Sequence, residues 1–526
     1  MKSAELSLRT QRILLAIILL LGLLLRLKGI SHPLLDHPGW RQGDEAAIAR
    51  NFAFIDLNPL HPQADYNGPG THYVELELQI VPWLTALLYK LVGVHEYIGR
   101  LLSVAASLGT IALLNVFGRY LFSSASAGLA AALLFAIAPG SIYYGRTFQP
   151  DTTMTLLLTA ALYTGTRLFL EAKPSWRRLA NATFCLLGAV LAKSVAILAL
   201  VPLAALSISR YGWRGTFTRR QNWILLLGAL VPFLAYDRYE ASIASWKWAS
   251  GITKLHVIPG LVAAATSPTA FLAKWSAFTA TFTMLAHTML GPVLFGLLIL
   301  ACIRPTPSRS PILLWWWLIA DLLYAYAVVT VERVDYYLYP FIPLAALLAG
   351  GYLASNLNLA RLREAAPRQQ RWIAAGLLGA LLVTIIEARQ EIAAYYDYNP
   401  SILREAHLLN RILPAEGLVV LGHLDPSVLY YIHRRGWQED PYLWTPFDEQ
   451  SAIRKGALTF IAAEPARLKH NVELNAWLQR FPLLPTPAHT WLVYRTDPSL
   501  ELPGAEQQWR SFRQQEASHK LEQHKD

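Results

Sequence analysis

Charge is what this chain has little of. Only 15% of its 526 residues are Asp, Glu, Lys or Arg, against 54% hydrophobic, and the mean hydropathy is +0.32. That balance excludes an ordinary soluble protein. It points to a polytopic membrane protein, long enough for a membrane domain plus one soluble domain. Cysteine is nearly missing too. Cys185 and Cys302, both in or beside apolar stretches, leave no disulfide framework and no CxxC metal site. The first apolar run, ILLAIILLLGLLL, is followed by RLKG and not by a small-residue cleavage site, so it reads as an uncleaved membrane helix. No internal repeat, low-complexity tract or Gly-rich nucleotide loop is visible. The net charge of +11 need not mean nucleic acid, because Lys and Arg collect in the cytoplasmic loops of membrane proteins.

What is there is a series of apolar spans, near 13–29, 100–121, 127–145, 152–170, 179–193, 194–208, 223–237, 276–301, 311–330, 337–355 and 372–387. The stretch 179–208 is long for one crossing and short for two. Treating it as a hairpin, with the N-terminus cytoplasmic, gives eleven spans. The cytoplasmic segments 1–12, 119, 171–178, 209–221, 303–310 and 356–371 then hold seventeen Lys and Arg against three acids. The first outer loop shows the reverse, with two basic and seven acidic residues over 30–79. That asymmetry follows the positive-inside rule; loop 238–275, with four basic residues outside, is an exception. Counting IVPWLTALLYKLVGV (80–94) as a further span would invert every later loop. It reads instead as an interfacial amphipathic helix, with Trp83 and Tyr89 at headgroup level.

Beyond about residue 390 the composition changes. Strand-like 417–424, 457–464 and 489–495 alternate with helical PSVLYYIHRRG, ended by Gly436, and ARLKHNVELNAWLQRF. The expected organisation is a membrane domain over 1–390 with its first outer loop at 30–99, a small extracytoplasmic α/β domain over 391–502, and a disordered polar tail over 503–526.

Several polar groups fall on one face in this topology. Adjacent carboxylates Asp44 and Glu45 lie in HPGWRQGDEAAIARNF, just past the first span. YYGRTFQPD places Arg146 and Asp151 in the second outer loop, Lys193 sits at the tip of the 179–208 hairpin, and VERVDYYLYP supplies Asp335, Tyr336 and Tyr337. Acids and cations gathered at one membrane face suit a charged lipid headgroup and a proton transfer. Each residue also has a bland reading. Asp44 and Asp151 fit helix N-caps, Lys193 fits a snorkelling anchor, and the tyrosines fit an aromatic belt. Arg26 and Lys28 read as interfacial anchors, and Arg41 and Arg50 as ion-pair partners within the loop. His72, Glu75 and Glu77 lack a metal-ligand spacing.

The pieces resemble, in order, the polytopic GT-C glycosyltransferases that use polyprenyl-phosphate sugars, close to the branch of protein O-mannosyltransferases and the lipid A aminoarabinose transferase. The resemblance runs over about residues 10–355. WRQGDEAAIARNF is similar to that family's first-loop acidic motif and VPWLTALLYKLVGVHEYIGRLLSV to the stretch after it. YYGRTFQPDTTMTLLL is similar to its second-loop Asp motif, LAKSVAILALVPL to its hairpin, and DYYLYPFIPLAALLAG to a late segment. The resemblance implies Asp44 as the base that deprotonates an acceptor hydroxyl, Asp151 as a second active-site carboxylate, and Lys193, with Arg146, as the cation for the lipid phosphate. Glu45, Asp335, Tyr336 and Tyr337 fall with the substrate. The motif here is GDEAAIA without the Arg of DEARYA, and AKSVA replaces TKGP, so the donor sugar stays open. No cofactor is assigned, and the resemblance leaves room for a divalent metal.

The expected function is transfer of a sugar from a polyprenyl-phosphate carrier to a glycan, lipid or protein hydroxyl on the outer face of a bacterial inner membrane, with inversion; inversion is an analogy with the geometry of inverting glycosidases. The competing readings are a transporter or lipid flippase, which usually shows repeats and broken midplane helices, and a non-catalytic scaffold presenting the C-terminal domain.

Overall fold

The computed structural model describes residues 6–171, 175–247, 251–356, 367–485 and 490–523. The expected cytoplasmic segments 1–12, 171–178 and 356–371 lie partly outside these residues, as does His489. The chain divides into two compact units. One comprises Met1–His32, Glu75–Ser242 and Lys247–Tyr396; the other comprises Pro33–Val74, Ile243–Trp246 and Asp397–Asp526.

The first unit is a multi-span helical membrane domain. Among the described residues, five helices are long and apolar enough to cross a bilayer: Leu8–Arg26, Tyr97–Phe122, Ser194–Thr218, Pro311–Glu332 and Arg368–Glu391. Every expected span falls on a helix, but several are interrupted. The stretch 127–145 is Ala125–Ile137 followed by Pro139–Tyr144, because Pro139 has no amide hydrogen to continue the ladder. The expected span 276–301 is Pro268–Met284 and Gly291–Ile303, joined by a wide turn at Leu285–Met289. At about 1.5 Å per residue, 13-residue Gly291–Ile303 reaches only about 20 Å, short of the hydrocarbon thickness. The stretch 179–208 breaks at Lys193, which is extended between Trp176–Ala192 and the tight turn Ser194–Ala199. Close helix packing uses small residues. A Cβ on Gly128 would stand 2.2 Å from the Asn115 carbonyl, so only glycine lets Ala125–Ile137 lie against Tyr97–Phe122. Ile80–Val92 forms as expected, with Leu84, Leu88 and Leu91 exposed along one stripe. Tyr89, expected at headgroup level, is instead buried.

The second unit holds a four-stranded mixed sheet in the order Gly436–Glu439, Leu418–Gly422, Ala457–Ala462, Leu492–Tyr494. The first three are parallel and the last is antiparallel. Phe460, Leu474, Trp477 and Leu478 anchor its core. Three expectations change here. Gly436 does not end a helix: Ser427–Ile432 stops earlier, and Gly436 opens a strand. A Cβ at Gly436 would lie 1.8 Å from the Val419 carbonyl oxygen, so the glycine serves strand approach. The helix expected over 466–481 is split at Asn471, whose side chain caps Val472–Leu478. The tail expected to be disordered forms the helix Ala505–Gln523.

The first outer loop also divides differently from the sequence expectation. Residues Pro33–Val74 belong with the C-terminal part and not with the membrane helices. The reason is local. The helix Gly39–Phe54 packs on Ser427–Ile432, Leu34 N donates to Tyr431 Oη at 2.7 Å, and Arg50 donates to the Tyr430 carbonyl at 2.9 Å while lying over the Tyr430 ring.

Candidate active site

In the membrane unit, two motifs converge on one ion pair. Pro150 stops the preceding turn and starts the helix Asp151–Leu170. Asp151 therefore sits in the first turn, where the helix dipole favours a carboxylate. It makes no capping hydrogen bond, so the cap reading fails. Its Oδ1 instead accepts from Lys193 Nζ at 2.7 Å. Lys193 does not snorkel outward; it is 8% exposed, with its ammonium 4.9 Å from the Tyr336 ring centroid and 4.8 Å from that of Tyr337. Both faces contribute cation–π attraction, so these tyrosines are more than an interfacial belt.

Lys193 lines a cavity of about 480 Å³, with Glu77, Ser194, Tyr324 and Tyr337 on the wall. An ammonium has three donors. Asp151 takes one, and the cavity offers room for an anion at the others. Asp151 Oδ2 is buried with no hydrogen-bond partner among the described residues. A buried, half-satisfied carboxylate beside a cation is a costly arrangement that a bound polar ligand would relieve.

Asp335 and Arg146 are both held by partners within the membrane unit. Asp335 accepts from Tyr144 Oη at 2.7 Å, from the Tyr336 amide at 2.8 Å and from Tyr395 Oη. It thereby holds the backbone of Tyr336, one of the two tyrosines beside Lys193. Arg146 is fully buried, donates to the Gly29 carbonyl at 3.0 Å and stacks between the rings of Tyr143 and Tyr396. That is a clamp on the chain after the first span.

Two further arginines, not singled out as functional from the sequence, are also buried, and the first of them shares this clamp. Arg100 is fully buried and donates to the carbonyls of Gly29, Ile30 and His32. Arg26, expected to be an interfacial anchor, is also fully buried. Its Nε donates to Ser107 at 2.8 Å, its Nη2 to Ser141 at 2.7 Å and its Nη1 to the Gly22 and Ala136 carbonyls. Lys28 lies 4.1 Å from the Tyr396 ring centroid. The only sequence hint was a set of charges inside apolar helices, which reads equally well as snorkelling.

In the second unit, Asp44 is not a helix cap either. It lies inside Gly39–Phe54, 4% exposed, with Tyr66 Oη 3.5 Å from Oδ2. The helix reaches this position because Gly43 touches Ser427: a Cβ on Gly43 would meet the Ser427 Cβ at 2.4 Å. Burial raises the Asp44 carboxyl well above the usual carboxylate range. Arg41 opposes that rise, and the neighbouring carboxylates Glu45, Asp425 and Asp65 add to it. Glu45 is fully buried and pairs with Arg41 at 3.0 Å, and Arg50 pairs with Asp65 at 2.5 Å, as the sequence suggested for both arginines. His72 Nδ1 lies 2.5 Å from the Tyr66 carbonyl. Among the described residues, no group of three His, Cys, Asp or Glu is arranged to hold a metal ion.

Of the expected residues, then, the structure brings Asp151, Tyr336 and Tyr337 together around Lys193, with Lys193 and Tyr337 on the cavity wall and Asp335 bonded to the Tyr336 amide. It gathers Asp44 and Glu45 in the other unit.

Residues 79–236 match the family described as dolichyl-phosphate-mannose-protein mannosyltransferase, a region that includes Asp151 and Lys193. No curated protein sequence matches the chain closely enough to count as a relative. Solved structures match over nearly the whole chain. ArnT from Cupriavidus metallidurans, bound to undecaprenyl phosphate, is 14% identical with a TM-score of 0.59, covering 93% of this chain and 98% of its own. The archaeal oligosaccharyltransferase AglB from Archaeoglobus fulgidus, in complex with an inhibitory peptide and a dolichol-phosphate, is 13% identical with a TM-score of 0.57, covering 94% of this chain and 75% of its own. The fold is the one those two proteins share.

Proposed function

We propose that this chain, a multi-span glycosyltransferase of the GT-C type with a lipid-linked sugar donor, moves a sugar from a polyprenyl phosphate to an acceptor hydroxyl with inversion at the anomeric carbon. The observation that carries the proposal is the buried Lys193–Asp151 pair, whose lysine lines the 480 Å³ cavity, inside the mannosyltransferase-family region.

The chemistry assigns each group a task. Asp44 takes the proton of the acceptor O–H, and the oxygen attacks the anomeric carbon. The bond from that carbon to the phosphate oxygen breaks, and the polyprenyl phosphate leaves carrying the electron pair. Lys193 holds that developing charge in a site where an ammonium is worth more than in water. Asp151 positions the ammonium, and Tyr336 and Tyr337 confine it. A hydroxyl is a poor nucleophile until a base removes its proton, so a carboxyl with a raised pKa is better suited to the task than an ordinary one. The excess of Lys and Arg in alternate loops supports a cytoplasmic N-terminus, with the sheet-bearing unit and the reaction on the outer face of a bacterial inner membrane. The acceptor is a glycan, lipid or protein hydroxyl.

The test is transfer from a radiolabelled polyprenyl-phosphate sugar by the purified full chain. Product that forms with wild type, and disappears in both Asp44→Asn and Lys193→Gln, is expected. Undiminished transfer by Asp44→Asn rejects that residue as the base, and undiminished transfer by Lys193→Gln rejects the cation.

A further inference from the structure

The far end of the helical run that starts at Ser194 carries a second feature, built from residues the reaction does not use. Gly212, at φ +70°, breaks the run, and the chain folds into an elbow before Arg220–Ile243 begins. The elbow is stapled in place: Asn222 Nδ2 donates to Ser207 Oγ at 2.7 Å and to the Thr216 carbonyl at 2.7 Å. Between elbow and helices lies a cleft of about 240 Å³, apolar and lined by Phe169, Leu200, Leu203, Trp213, Phe217 and Trp223 among others. Trp213 and Phe217 are 65% and 50% exposed and in edge contact, the arrangement of aromatics at a membrane interface.

The rim is basic. Arg210, Arg214, Arg219 and Arg220 are all exposed, and among the described residues none is ion-paired. Arg219 rests over the Tyr211 ring at 3.8 Å in place of a carboxylate. No Asp or Glu occurs between Glu171 and Asp237, so the counter-charge for these arginines has to come from outside that stretch.

We propose that this elbow is a binding site for one anionic glycerophospholipid, an acyl chain in the cleft and the phosphate against the arginines. The apolar lining fits the chain, and the arginines interleaved in sequence with lining residues Trp213, Thr216, Phe217 and Asn222 fit the charge. A glycerophospholipid fits better than the polyprenyl-phosphate donor for two reasons. At about 1.5 Å per residue the elbow lies roughly 25 Å along the helical run from Lys193. And Asn222 Oδ1, buried at the cleft with no hydrogen-bond partner among the described residues, is an acceptor suited to a headgroup hydroxyl.

Native mass spectrometry of the full chain in detergent, titrated with phosphatidylglycerol or phosphatidylcholine, tests this. One phosphatidylglycerol is expected to bind at about tenfold lower concentration than phosphatidylcholine. The exposed triple variant Arg214→Gln, Arg219→Gln, Arg220→Gln is expected to weaken phosphatidylglycerol binding by roughly tenfold or more at unchanged melting temperature, since each basic group near an anionic headgroup counts for about fivefold. Ala204→Trp, which fills the cleft, is expected to weaken both lipids; should it also lower the melting temperature, the arginine variants alone decide. Equal affinity for the two lipids, undiminished phosphatidylglycerol binding by the triple variant, or displacement of phosphatidylglycerol by stoichiometric undecaprenyl phosphate would overturn the proposal.

Discussion

Lys193 donates a 2.7 Å hydrogen bond to Asp151, and the two come from motifs that are 42 residues apart in the chain. Neither group is solvated enough to be stable alone. Removing one partner of a buried pair leaves an uncompensated charge, at about 3–5 kcal/mol. The same ammonium is assigned the leaving phosphate, so it has two anionic claimants.

The pair is therefore expected to behave as a unit. Lys193→Gln should lower kcat/KM by about 10²–10³, the range for losing one preorganised donor to a developing negative charge. Asp151→Asn should lower it less, because the ammonium survives but loses its anchor. The double variant should be no worse than Lys193→Gln, a coupling of about 0.5–3 kcal/mol in a double-mutant cycle. Additive losses would mean that Asp151 acts independently of Lys193.

The base role proposed for Asp44 makes the reaction dependent on pH. Burial, aided by Glu45, Asp425 and Asp65, holds its carboxyl well above the usual range. A base acts only when ionised, so kcat/KM should rise with pH through this raised value and then level. Asp425→Asn removes one of the charges that raise it, and should shift the rising limb toward acid. An unmoved limb in that variant would assign the titration to another group. The stability effect has the opposite sense. The folded state keeps the Asp44 proton where the unfolded chain, with an ordinary value of 3.8, has lost it. Stability from this group is thus full at low pH and declines as pH rises from 3.8 through the raised value. Asp44→Asn should abolish transfer while raising the melting temperature on the alkaline side.

The contact beneath Asp44 gives a purely steric prediction. A methyl at position 43 would lie 2.4 Å from the Ser427 Cβ and 2.6 Å from its Cα. Overpacking of this kind costs about 1–3 kcal/mol. Gly43→Ala should lower the melting temperature and, by moving the helix that bears Asp44, reduce transfer. Ser427→Gly in the same chain should restore part of both, since it clears the Cβ but not the backbone. Unchanged melting in Gly43→Ala would show that the two helices separate freely.

Periodicity and charge bias made part of this readable in advance. Apolar runs located the membrane helices, since nothing else keeps so many uncharged residues together, and the singular Lys193 and Asp151 stood out against them. Three things were not legible, each because it depends on a partner distant in sequence. Arg26 looks like an interfacial anchor until its bonds to Ser107, Ser141 and the Gly22 and Ala136 carbonyls are seen, and nothing in the sequence ties Arg100 to Gly29, Ile30 and His32. Gly436 looks like a helix stop because its constraint comes from Val419, seventeen positions earlier in the chain. And the first outer loop looks like part of the membrane domain because its affinity for Ser427–Ile432 lies in single contacts, Gly43 on Ser427 and Arg50 on Tyr430, that carry no period.

Glu449 offers a test of the sheet-bearing unit independent of catalysis. It is fully buried behind the strands and accepts from Trp444 Nε1 at 2.8 Å. Burial pushes its carboxyl up to about 8 from an ordinary 4.5, partly offset by that hydrogen bond. In the folded protein the group is protonated at neutral pH; in the unfolded chain it is not. Its contribution to stability is therefore full below pH 4.5, falls between 4.5 and about 8, and is flat above. The whole change amounts to a loss on the order of 3–5 kcal/mol. Glu449→Gln keeps an oxygen for Trp444 and has no proton to lose. Thermal melts of the full chain in detergent should show the variant matching wild type near pH 5 and exceeding it near pH 9. Subtracting the two curves isolates this residue from Asp44 and Asp425, which titrate in the same direction. A difference that does not change between pH 5 and 9 would mean that Glu449 is ionised in the folded state and that its charge is compensated within the unit.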